Sequence, residues 1–120
     1  MPTTIADIIA ARKAVVDILD HEIQDALGKK NAAANDAAAE RFDKAIHQLM
    51  AQRVAIFQET AFLAMESDEM TDALNKLRDL TANMNTVAAR MASVTGFFRN
   101  LADILDAASK VEDVLKRPGS

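Results

Sequence analysis

Residues 67–116 read SDEMTDALNKLRDLTANMNTVAARMASVTGFFRNLADILDAASKVEDVLK, and their rhythm decides the fold class. Met70, Ala73, Leu77, Leu80, Met84, Val87, Met91, Val94, Phe98, Leu101, Leu105, Ala108, Glu112 and Leu115 follow one another at alternating steps of three and four. Side chains at those steps share one helix face, and a strict seven-residue repeat favours long helices packed in a left-handed supercoil. Glu112 alone among them is polar, and Val111 stands beside it. The phase holds through Gly96, so the spacing predicts one helix over about 68–116, roughly 70 Å long, with any bend at Gly96. An interior glycine costs a helix only about 1 kcal/mol, and on this reading Gly96→Ala should stabilise the protein. The alternative is a turn at Thr95-Gly96, which makes two helices of the one and gives a four-helix up-down bundle.

Upstream, Ser67-Asp68-Glu69 is the clearest break: Ser67 or Asp68 can cap, and the acids suit a helix N-terminus. The first helix is expected over about 4–28, on the stripe Ile5, Ile9, Arg12, Val16, Leu19, Ile23 and Ala26. Thr4 and Asp7 form a short capping box at its start, and Gly28 stands just past its end. Lys29-Lys30-Asn31 reads as a connection, and the alanine-rich stretch 32–39 opens a second helix over about 32–66. Its stripe runs through Phe42, Ile46, Leu49, Met50, Ile56, Phe57, Ala61 and Ala64. Arg117-Pro118-Gly119-Ser120 reads as a solvated tail. No segment alternates with period two beside turn residues. The expected fold is all-α: an antiparallel helical bundle of long, coiled-coil-like helices, one domain over residues 1–120, with three helices or, in the alternative, four.

Composition agrees. Half of the residues are hydrophobic, and even after setting aside 24 alanines the larger ones can supply a core at about 1.5–3 kcal/mol each. Three Gly, two Pro and 4% aromatics are too few for the turns and strands of an all-β fold. The absence of Cys excludes disulfide scaffolds, thiol nucleophiles and cysteine-based metal sites. Fourteen basic and eighteen acidic residues are spread evenly, and no basic cluster exceeds two residues, which argues against nucleic acid as a partner. The start lacks a secretory signal, and no apolar run is long enough for a membrane span; a cytoplasmic location is expected, with signal-independent export left open.

Little chemistry is on offer. Asp17, His21 and Asp25 share a helix face, as do Asp43 and His47, but no Glu-x-x-His element accompanies them. Neither a phosphate-cradling glycine loop nor a nucleophile triad is legible, so no catalytic, cofactor or metal residues are assigned and no enzyme activity is expected. Arg12 and Arg53 each interrupt an apolar stripe. They read either as snorkelling side chains at a bundle edge or as polar groups that set register and partner choice. Methionines 50, 70, 84 and 91 fall in stripes and read as core filling.

The anomaly is charge depletion. Between Leu80 and Phe98 the only charge is Arg90, and the side opposite the seam carries Ala82, Ala89, Ala92, Ser93 and Gly96. Such small groups permit close approach of another surface: the first two helices, a second protein chain, or lipid. The expected function is protein–protein interaction or assembly through helix packing, with a homodimer or partner complex formed on that row. A membrane-active subunit using residues 80–98 and a small-molecule-binding bundle with a methionine-lined cavity are the alternatives.

Overall fold

Helix α1 spans Ile5–Asn31 and opens on the expected capping box. The Asp7 N–H donates to Thr4 Oγ1 (3.4 Å), and the Thr4 N–H donates to Asp7 Oδ2 (2.8 Å). That second bond, which favours the charged carboxylate, holds Asp7 below the ordinary carboxylate range. Gly28 does not stop this helix. The chain continues to Asn31 and closes where the Ala32 N–H donates to the Gly28 carbonyl (3.1 Å).

In this computed structural model, which describes residues 2–116, three more α-helices follow. Helix α2 spans Asp36–Gln58 and starts later than the alanine run suggests, because Asn35 holds an extended backbone and accepts the Ala38 N–H on Oδ1 (2.8 Å). It also stops earlier than expected. Residues 61–64 form a short 3₁₀ helix instead of its last turn. Helix α3 spans Ser67–Ala89 and is capped by Glu66, whose carbonyl accepts the Met70 N–H (2.9 Å); neither Ser67 nor Asp68 caps it. Asp68 and Glu69 do occupy its first turn, where the helix dipole favours acids. Helix α4 spans Val94–Lys116, and the expected solvated tail at 117–120 lies outside the described residues.

The single helix expected over 68–116 is therefore two. Arg90 and Met91 N–H groups donate to Val87 and Ala88 carbonyls (both 3.0 Å), tightening the end of α3. Ser93 then caps α4: its Oγ accepts the Gly96 N–H (2.9 Å) and its carbonyl the Phe97 N–H (2.7 Å). The chain turns ahead of Gly96, and the hydrophobic phase slips with it. Val94, assigned to the seam, is 53% exposed and Phe98, Leu101 and Leu105 are half-buried, while Phe97, Ile104 and Val111 are buried; only Ala108 and Leu115 of the expected α4 seam are buried as well. Adjacent apolar pairs (Phe97-Phe98, Ile104-Leu105, Ala107-Ala108) let either phase read as apolar, which concealed the slip.

Helix α1 packs against α2 and α3, α4 packs against the same two, and α2 and α3 face each other across the diagonal. Extents of 52 × 23 × 20 Å fit helices two abreast in both short directions. Arg12 near the start of α1 meets the end of α2, and Lys30 near its end meets Asp43 near the start of α2 (2.9 Å), so these neighbours run oppositely. Thr71 Oγ1 donates to Thr3 Oγ1 (3.0 Å), placing the starts of α1 and α3 at one end. To reach α3, residues 59–66 must cross the bundle diagonal at that end. Buried Phe62 and Met65 close it, and buried Met91 with the Phe42, Phe97, Phe98 cluster closes the other. Between them, one continuous core joins residues such as Leu19, Leu49, Leu77, Met84 and Ile104.

Candidate interaction surface

The row of small residues expected as an interface does not form one strip. Ala82 and Ala89 are exposed on α3, Ala92 and Ser93 are exposed in the turn, and Gly96 is half-buried in the first turn of α4. They are not covered by α1 or α2, which corrects the intramolecular alternative. Two of them have local duties: Ser93 caps α4, and Gly96 leaves room for the Arg90 carbonyl. Neutral polar residues nearby are satisfied within their own helices, with Thr86 donating to the Ala82 carbonyl (3.1 Å) and buried Asn100 to the Gly96 carbonyl (2.8 Å).

Arg12 and Arg53 fall together on the α1–α2 side. Arg12 Nη1 donates to the carbonyls of Phe57 (3.2 Å) and Glu59 (2.9 Å), satisfying the end of α2 where the chain departs. Its guanidinium also lies 5.4 Å from the Phe57 ring centre and 5.3 Å from that of Phe62. Arg53 Nε donates to Asp20 Oδ1 (2.5 Å), a pair left substantially open to solvent. Both arginines thus bridge α1 and α2 at a bundle edge.

Phe57, beside both guanidinium groups, is one of six large apolar side chains on α1, α2 and the 3₁₀ helix that packing leaves uncovered. Ile5 and Ile9 precede Arg12 on its own helix face; Met50, Val54 and Phe57 line α2 at steps of four and three; Leu63 projects from the 3₁₀ helix. These six side chains remain between 38% and 57% exposed, with Phe57 the most open. Four of them (Ile5, Ile9, Met50 and Phe57) belong to the stripes visible in the sequence. Helical spacing identifies an apolar face without saying how much of it the neighbouring helices cover. Met50 on this surface is thus not core filling, whereas Met84 and Met91 are.

Other groups offer less. His47 Nδ1 sits 2.9 Å from the Asp43 carbonyl, and His21 is exposed. Among the described residues no three metal-ligating side chains converge, and no helix is long and apolar enough to cross a membrane. Residues 80–98 are divided between two helices and a turn. A groove of about 330 Å³ between α1 and α3 is lined by Asp7, Ala10, Ala14, Leu74 and Arg78, and no methionine faces it.

Among the described residues Glu22 is the one charged side chain in the core, and its Oε2, like Gln52 Oε1, is buried without a hydrogen-bond partner. Burial pushes its carboxyl above the ordinary glutamate value, with Asp25 adding to the effect. The folded chain therefore holds this proton more tightly than the unfolded chain. The stability it brings is complete below the ordinary glutamate range and is lost as pH rises through the raised value. Glu22→Gln should stabilise by about 1–2 kcal/mol at pH 7, and its advantage should shrink on acidification. Urea titrations of both proteins at neutral and mildly acidic pH check this; an advantage independent of pH would refute it.

No family model, curated protein or solved structure matches this chain.

Proposed function

We propose that this chain acts as one non-enzymatic helical module that binds another protein chain through helix packing, as an adaptor, chaperone or assembly subunit does. The contact surface is the α1–α2 face around Arg12. The observation that carries the reading is the exposure of six large apolar side chains, Ile5 and Ile9 on α1, Met50, Val54 and Phe57 at helical spacing on α2, and Leu63 on the 3₁₀ helix, beside a bundle whose core is already closed. Single exposed apolar residues are ordinary on protein surfaces, whereas a row of them along one helix face, here with Phe57 beside the Arg12 guanidinium, suits an interaction site. Two cations held in place by hydrogen bonds give that patch directional polar groups, as the rim of an interface requires.

A photo-cross-linking side chain at Val54 should yield a discrete protein adduct in native extract, while the same group at Ala89 should not. Adducts at Ala89 alone would overturn this placement in favour of the small-residue row. Absence of adducts at both positions would overturn the interaction reading itself.

A further inference from the structure

We infer that the turn between α3 and α4 is a hinge: the two helices straighten into one, and two copies of the chain then exchange their α4 helices. None of the α1–α2 face takes part, so this exchange and the contact proposed above stand or fall separately.

Helix α4 carries one apolar column more than the closed chain uses. Phe97, Ile104 and Val111 are buried in the core. Beside them Phe98, Leu101 and Leu105 are only half-buried, and Val94 is 53% exposed. Those four continue the buried α3 seam of Met84, Val87 and Met91 at unbroken steps of three and four. The turn takes them off that seam. In a straight helix over 67–116 they return to the face by which α3 already packs, because steps of three and four keep to one side of a helix. Straightening thus trades one apolar column for another, and Ala108 and Leu115 serve in both.

The turn itself opposes a continuous helix only weakly. Residues 90–93 are Arg, Met, Ala and Ser, of which the first three are good helix formers, and neither Gly nor Pro stands among them. Arg90 already lies in the right-handed helical region. Local features hold the turn closed: the Ser93 cap on the Gly96 N–H, and the room that Gly96 leaves for the Arg90 carbonyl. A continuous helix needs neither, since each N–H finds its carbonyl four residues back.

The partner follows from what straightening uncovers. Helix α4 leaves its place against α2 and α3, and Phe42 loses the Phe97 ring. One open chain would leave that core in water, whereas a second open copy supplies the missing α4. The two long helices then run antiparallel, each α3 beside the other copy's α4, in the same sense as within the closed hairpin. A twofold axis at the turn closes the assembly at two copies. Exchange is bimolecular, so the closed chain prevails when dilute.

Light scattering after size exclusion of the full chain tests this, with circular dichroism as the check on folding. The dilute wild type should be monomeric, and incubation at about 1 mM in mild urea should leave a dimer fraction once the urea is removed. Gly96→Ala crowds the closed turn and suits a continuous helix, so it should shift that balance at least about tenfold toward dimer. Two further changes separate exchange from any other contact. Val94→Glu puts a carboxylate where the closed chain is open to water but where the exchanged pair has its seam, near the axis. A Gly-Gly-Gly insertion after Ala92 breaks the straight helix and leaves the closed bundle within reach. Each should return the chain to monomer with its helix content kept. A folded Gly96→Ala chain that stays monomeric, or a dimer that survives either change, would overturn the inference. If Gly96→Ala does not fold, the wild type at about 1 mM decides alone, and the absence of a dimer there overturns it equally.

Discussion

Phe97→Ala should destabilise the protein by about 3–5 kcal/mol, and Phe98→Ala by only about 1–2 kcal/mol. The neighbours have the same side chain and the same helix; only burial separates them. Phe97 is fully buried, with its ring 5.6 Å from that of Phe42 and edge-on to Phe98 at 5.3 Å. Its truncation leaves a cavity at the end of the core where four helix termini meet, and a rigid bundle end collapses poorly around such a void. Phe98 is half-buried, with the exposed Arg41 guanidinium 4.1 Å above its ring, and water can replace much of what alanine removes. The unbroken heptad demands the reverse order, since it places Phe98 inward. Urea unfolding of the two variants decides between the phases, and a larger loss for Phe98→Ala would refute the packing described here.

Gly96→Ala should cost about 2–3 kcal/mol. A Cβ at this position would overlap the Arg90 carbonyl oxygen and stand 2.8 Å from Ser93 Oγ, the very atom that caps α4. The carbonyl belongs to the backbone of the turn, so relief requires moving the turn and weakening the cap together. Gly28→Ala is the matched control. Gly28 lies within α1, where an added Cβ meets nothing within 4 Å, and this substitution should stabilise by about 0.5–1 kcal/mol. Opposite signs for the two glycines are the expected outcome in thermal or urea unfolding. A gain at both positions would restore the continuous third helix.

Those glycines also show where sequence reasoning runs out. Glycine favours a helix end and costs little inside one, so the residue alone does not say which role it fills. Gly28 had the signature of a stop and is passed through; Gly96 had the signature of a tolerated interior residue and crowds a turn. In each case the deciding fact is nonlocal. Helix α1 continues to Asn31 and presents Lys30 to Asp43 of the next helix. Helix α3 ends at Ala89, and the turn after it lets α4 bury Phe97 against Phe42 of α2. The candidate surface was partly legible in the same sense. Arg12 and Arg53 stood out as interruptions, and Ile5, Ile9, Met50 and Phe57 as stripe members, but nothing in their spacing said that they would share one face.

What the sequence determined by itself is everything carried by local geometry. The three–four rhythm makes every long segment helical, the Thr4–Asp7 box opens α1, and the scarcity of Gly, Pro and aromatic residues removes sheet from consideration. These follow from a period of 3.6 residues and from hydrogen bonds within one turn, which no distant residue needs to complete. Tertiary structure decided the number of helices, the phase of α4 and which apolar side chains stay in water. A wide apolar face can turn either of two columns inward at nearly equal local cost. The choice falls to the helices packed against it, because burial is gained only where another surface removes the water.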